Sequence, residues 1–182
     1  GEDDMENIDK IIEWAQSVKE TDIVNWEALP DLDLYMDQVL TYMDRQLSLF
    51  QKDEENKLLT SSMINNYVKD GLIPRPEKKK YSREHLASML VICMLKQVLT
   101  MQNITRLQES EQDKKVLYEQ FSVSQSKALH DVAERVLHTD RTPEEMHRLT
   151  IELSIEANAR RITAENILAM MKEEKEQTGK HD

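Results

Sequence analysis

Glycine and proline are scarce in this chain, with three and four copies in 182 residues. Both interrupt helices, glycine through backbone entropy and proline through its missing N–H. Their scarcity leaves long stretches free to stay helical. Aromatic residues make up only 5% of the chain, against ten methionines. That balance points to a core of Leu, Ile, Val and Met. A single cysteine, Cys93, excludes an internal disulfide. It lies within the longest apolar run, the seven residues Met89 to Leu95. A small buried hydrophobe is expected there, in a reducing compartment. The run falls well short of the roughly 18–20 apolar residues of a membrane span. The acidic N-terminus has the wrong sign for a secretory signal, and Gly1 reads as the remnant of a cleaved tag. A cytoplasmic protein with no membrane partner is expected.

What is present is charge, unevenly placed. The net charge is −11. Residues 1–59 carry 5 basic and 16 acidic groups, and residues 101–182 carry 12 and 16. Residues 60–100 reverse the sign, with 7 basic and 3 acidic. That segment also holds a Gly, two prolines and three consecutive lysines, in "KDGLIPRPEKKKY". Distribution of charge matters more than its total for nucleic-acid contact.

Hydrophobic spacing predicts helices along most of the chain. The first is Met5 to Glu20, with Ile8, Ile11, Ile12, Ala15 and Val18 on one stripe. Trp26 and Leu29 should pack on the core. A second helix is expected to open at Pro30–Asp31, with the stripe Leu34, Tyr35, Val39, Tyr42, Met43 and Leu47. Gln51 to Asn56 is a charged break. Thr60 to Gly71 is a short helix with both ends marked. Thr60 or Ser61 can cap it, and Gly71 can take the left-handed conformation that stops it. Ile64, Tyr67 and Val68 face inward, leaving Ser61, Ser62, Asn65, Asn66 and Lys69 outside.

The next segment, "LIPRPEKKKY", is extended, because each proline biases the residue before it away from helix. Ser82 then caps a helix that is apolar on nearly every face through Leu99, as a central helix must be. Thr100 caps a short helix, "MQNITRLQES". Two long helices end the chain. One runs from about Glu111 to His138, with Val116, Leu117, Phe121, Leu129, Val132, Val136 and Leu137. The other opens with "TPEE", its cap Thr142 and first residue Pro143. It runs toward Glu176, with Leu149, Leu153, Ile162, Ile167, Leu168 and Met171. Each would be on the order of 40–50 Å long, and the pair reads as an antiparallel hairpin.

A short helix presenting Ser, Asn and Lys suits the DNA major groove, and a stiff loop with Arg75, Lys78, Lys79 and Lys80 suits the neighbouring backbone. At this point the chain resembles a known family. The stretch Ile64 to Ile104 is similar to the winged-helix DNA-binding domain of the MerR family of bacterial transcription regulators. The likeness rests on Tyr67, Gly71, Leu72, Ile73, Pro74, Tyr81, Leu86, Ile92, Leu95, Leu99, Thr100 and Ile104. The whole chain also resembles an uncharacterised bacterial MerR-like group described only as a domain of unknown function.

The resemblance implies a mostly all-α fold: a winged helix-turn-helix with a small wing, plus a long C-terminal helical hairpin. It implies an N-terminal extension (1–28), a DNA-binding domain (29–108) and a dimerisation or effector region (109–182). Double-stranded DNA and a second copy of the chain are the partners it implies. The candidate DNA contacts are Ser61, Ser62, Asn65, Asn66, Lys69, Arg75, Lys78, Lys79, Lys80 and Arg83. Departures from the family lie in the long helix before this segment and in the acids Asp53, Glu54 and Glu55. Those acids keep a second reading open, a winged-helix module that binds proteins instead of DNA. No effector-binding pattern is recognisable.

No catalytic residue, metal ligand or cofactor is expected. His85, His130, His138, His147 and His181 lack ligand spacing. Neither H-E-x-x-H nor a phosphate-binding loop occurs. The pairs Glu144–Glu145 and Glu173–Glu174 read as helix-end or surface charge.

Overall fold

The computed structural model describes residues 1–110 and 113–180, with the side chains of 173–175 set aside. Glu111, His181 and the Glu173–Glu174 pair lie outside the described residues and side chains. The chain is mostly helical, with one two-stranded sheet. It forms two compact units, Asp22–Gln125 and Gly1–Thr21 together with the chain from Ser126 onward.

The unit Asp22–Gln125 begins with a connector and a short turn at Trp26–Ala28, capped by the Asn25 side chain. Strand β1 (Leu34–Tyr35) leads into α2 (Met36–Gln46). Helix α3 (Ser61–Lys69), strand β2 (Lys80–Tyr81) and α4 (Arg83–Leu95) follow. Next come α5 (Met101–Ser110) and the first half of α6 (Lys114–His138). Strands β1 and β2 are antiparallel, Leu34 opposite Tyr81 and Tyr35 opposite Lys80.

Two expected helices change here. The second does not open at Pro30. Leu34 and Tyr35 are claimed by β2, and the Tyr35 N–H donates to Gln38 Oε1 at 2.9 Å, fixing the start of α2 at Met36. The fourth stops at Leu95, not Leu99. Val98 and Leu99 N–H both turn back to the Leu95 carbonyl. Lys96 leaves the helix to donate to the Leu58 carbonyl.

Helix α4 is the axis of this unit. Its residues His85 to Met94 are all buried, and it packs on α2, β2 and α5. Each buried Leu, Ile or Met side chain contributes about 1.5–3 kcal/mol. Cys93 is part of that packing, with its Sγ 3.8 Å from the Leu58 carbonyl. Burial pushes its thiol up to about 11.

The other unit holds α1 (Glu2–Lys19), the second half of α6 and α7 (Pro143–Thr178). Ile8, Ile12, Ala15 and Val18 are buried on α1, but Ile11 faces out. Lys19 pairs with Glu134, and the His130 Nε2–H donates to the Thr21 carbonyl at 2.8 Å. Arg135 on α6 bridges Glu152 and Glu156 on α7 at 3.5 and 2.5 Å. The Arg135 guanidinium holds the Glu156 carboxyl below its usual range. Thr142 caps α7 by accepting from the Glu145 N–H.

The face of α6 differs from the apolar stripe expected of it. Val136 is buried as expected, but so are Tyr118, Ser122, Ser126 and Ala133, while Val116 and Val132 of the expected stripe are exposed. Small side chains allow close approach of a neighbouring backbone, so packing here selects Ser and Ala over Val. Ser122 Oγ satisfies itself by donating to the Glu119 carbonyl. Among the described residues no helix is long and apolar enough to cross a membrane.

Candidate nucleic-acid interface

Helix α3 is defined by its ends. Thr60 Oγ1 accepts from the Met63 N–H at 3.2 Å. At the other end Gly71 takes φ +76°, a value for which glycine carries no steric penalty. The Leu72 N–H reaches the Tyr67 carbonyl at 2.8 Å and the Gly71 N–H the Val68 carbonyl at 3.1 Å. This pair of bonds is a Schellman stop. It turns the chain from helix into loop within two residues. Ile64 and Tyr67 are buried and Val68 is half-buried, so the helix is anchored on one side. Ser61, Ser62, Asn65, Asn66 and Lys69 are all exposed on the other.

The loop that follows is held more tightly than its length suggests. The Lys80 N–H donates to the Glu77 carbonyl at 2.9 Å, closing a four-residue turn. The two central residues, Lys78 and Lys79, have φ of 51° and 63°. Positive φ at both central positions is the mark of a type I′ turn, which favours Asn-Gly. Lysine there carries strain of about 1–2 kcal/mol per residue. Lys80 lies half-buried with its ammonium 5.1 Å from the centre of the Tyr35 ring. Arg75, Lys78 and Lys79 are exposed. Among the described residues Lys69, Arg75, Lys78 and Lys79 form no ion pair.

Arg83 is placed differently from the other candidates. Its Nη2 donates to the Leu29 carbonyl at 3.0 Å, its Nη1 lies 3.9 Å from Glu27, and its Nε is buried without a partner. It ties α4 to the connector and is not part of the free basic surface. The acids Asp53, Glu54 and Glu55 are exposed. The Asn56 backbone and side-chain N–H groups hold the Asp53 carboxyl below its usual range. Nearby, Lys57 pairs with Asp44 at 3.1 Å.

One residue of this region shows only half its role in sequence spacing. His85 is buried. Its Nδ1 lies 3.0 Å from the Ser82 backbone N and 2.8 Å from Ser82 Oγ, and its Nε2 lies 2.9 Å from the Pro74 carbonyl. The Tyr81 ring meets it edge-on at 5.4 Å. The histidine three residues after a serine cap could have suggested the first contact. Nothing in the sequence suggests the second.

The structure thus defines a helical domain that presents a capped polar helix and a basic, conformationally fixed turn. The model of the family described as a domain of unknown function (DUF1836) matches residues 24–132. That is more than half of the chain, and the chain belongs to this family. No curated protein and no solved structure matches it. Among the described residues no cluster of three or more His, Cys, Asp or Glu side chains is arranged to hold a metal ion.

Proposed function

We propose that the chain is a DNA-binding transcriptional regulator of the MerR-like, winged helix-turn-helix type. In this reading α3 enters the major groove and the loop from Pro74 to Tyr81 follows the phosphate backbone as a wing. The observation that carries the reading is the pair Lys78–Lys79. Two free cations are held at positive φ on the tip of a closed turn, a few residues after a helix whose outer face is Ser, Asn and Lys, in an otherwise acidic chain. The β1–β2 pairing supports it by tying the chain before α2 to the return arm of the loop.

Lysines and serines can bind phosphates, and Asn65 or Asn66 can bond an adenine edge bidentately. Selection of bound fragments from a mixed-sequence duplex pool tests the reading. An enriched motif is expected. Asn65→Ala or Asn66→Ala, whichever reads a base, should cost about 1–3 kcal/mol on that motif and little on mixed sequence. Equal weakening on all sequences would leave these residues as backbone contacts only. An unenriched pool would sink sequence-specific reading.

The C-terminal helices serve as the dimer contact. Helix α7 has 36 residues against 25 in α6, so it outruns its partner by about 16 Å at 1.5 Å per residue. Ile162, Ile167, Met170 and Met171 are 44–65% exposed. A second copy would cover them and place two reading units for linked binding to two half-sites. Light scattering is expected to give twice 21.4 kDa. The double change Ile167→Glu with Met170→Glu should return it to one chain. A single-chain mass for the unmodified protein into the high micromolar range would remove the dimer.

A second reading, a protein-binding module, is favoured by the exposed acids Asp53 to Glu55. It requires that affinity for mixed duplex be absent or insensitive to salt.

A further inference from the structure

We propose that His85 is the positioning residue of the basic loop, and that its two ring nitrogens do separable work. The loop's departure and return are held by one imidazole. A backbone N–H only donates, so Nδ1 must accept from Ser82, its single lone pair shared between the backbone N–H at 3.0 Å and the Ser82 hydroxyl at 2.8 Å. A carbonyl only accepts, so Nε2 carries the proton and donates it to Pro74. Nδ1 therefore caps the start of α4 by holding the backbone N–H of its N-cap residue, Ser82. Nε2 fastens the chain at the point where it leaves for Arg75 and Lys78.

Burial makes both bonds matter, because the His85 ring cannot turn to water instead. Pairing of β1 with β2 and the Lys80–Tyr35 contact hold the return arm. On the outgoing side the buried Ile73, its N–H 3.3 Å from the Tyr67 carbonyl, holds the chain up to Pro74, and at Pro74 itself the side-chain hydrogen bond is that of His85 Nε2. Its loss would free Arg75 and the strained turn to sample other conformations. A mobile loop loses more entropy on docking than a fixed one.

The amide side chains imitate each half of the ring. Asn places an acceptor near the position of Nδ1, and Gln places a donor near that of Nε2. Limited trypsin digestion of the full chain reads the loop directly, since cleavage after Lys78, Lys79 and Lys80 needs it to open, the Arg75–Pro76 bond being resistant to trypsin. His85→Ala is expected to raise cleavage there about tenfold relative to cleavage after Lys52, the factor for one lost buried hydrogen bond. His85→Gln should restore most of the resistance, and His85→Asn should not. If His85→Ala fails to fold, the contrast between Gln and Asn still decides. Equal cleavage in those two variants would overturn the separate roles. Cleavage unchanged in a folded His85→Ala would overturn the clamp.

The consequence for DNA rests on the proposed function. Affinity for a labelled mixed-sequence duplex should fall in the order wild type, Gln, Asn. Should no variant and no wild-type protein bind duplex, while digestion follows the expected pattern, the clamp stands and the DNA reading fails. Binding that ignores all three substitutions while the loop opens would remove the positioning role.

Discussion

Changing Lys78, Lys79 and Lys80 together to alanine is expected to weaken binding to mixed-sequence duplex by up to about 500-fold near 0.1 M salt. The figure follows from counterion release. Each phosphate contact contributes about 0.9 to the slope of log affinity against log salt, so at this salt it is worth somewhat under a decade. Three contacts together remove close to three decades and flatten the slope by nearly three units. Lys78 and Lys79 are exposed and form no ion pair among the described residues, so both are free to meet phosphate. Lys80 is partly engaged with Tyr35 and would contribute least.

Truncation also changes the turn, and a second variant separates the two effects. Lys78→Asn with Lys79→Gly gives the residue pair that a type I′ turn favours. It removes two charges while relieving the strain at φ 51° and 63°. The loop should be at least as well formed and the protein at least as stable, yet the salt slope should still fall by nearly two units. Undiminished affinity in this variant would assign the interface to conformation and not to charge. An unchanged slope in the triple variant would take the loop off the DNA altogether.

The parts of this region visible in sequence are those fixed by local chemistry. Thr60 and Gly71 mark the ends of α3 because capping and left-handed backbone depend on single residues. The inward Ile64 and Tyr67, and the exposed residues between them, follow from helical spacing alone. The apolar run of α4 announces burial in the same way. What sequence spacing could not show depends on distant partners. Leu34 and Tyr35 continue a helical pattern, and only Tyr81 and Lys80, far along the chain, make them a strand. Arg83 looks like another cation of the loop, but a carbonyl at Leu29 turns it inward. On α6, hydrophobicity favours the valines, whereas close packing buries Ser122, Ser126 and Ala133. His85 has the same origin. Its cap is local, but its bond to Pro74 exists only once the loop has closed.

Tyr118→Ala is expected to destabilise the unit Asp22–Gln125 by about 3–5 kcal/mol, the usual range for deleting a large buried aromatic side chain. Tyr118 is 1% exposed. Its ring lies 6.2 Å from that of Trp26 and 6.3 Å from that of Phe121. Its hydroxyl donates to the Val24 carbonyl at 2.6 Å. One side chain thus fastens the connector at the start of this unit to the helix near its end. Burial pushes the phenol well above its usual range, so the hydroxyl stays a donor at any ordinary pH. Tyr118→Phe keeps the ring and removes only the bond, leaving the half-buried Val24 carbonyl without this donor, and should cost about 1 kcal/mol. The two tryptophans allow a direct measurement. Trp26 contacts Tyr118, whereas Trp14 is 52% exposed on α1 in the other unit. In a Trp14→Phe background, denaturant unfolding followed by fluorescence therefore reports the unit that holds the candidate interface. A lower midpoint with an unchanged slope is expected for both substitutions, larger for alanine. If the alanine variant unfolds no earlier than the phenylalanine variant, the ring stack contributes nothing and the hydroxyl alone holds the connector.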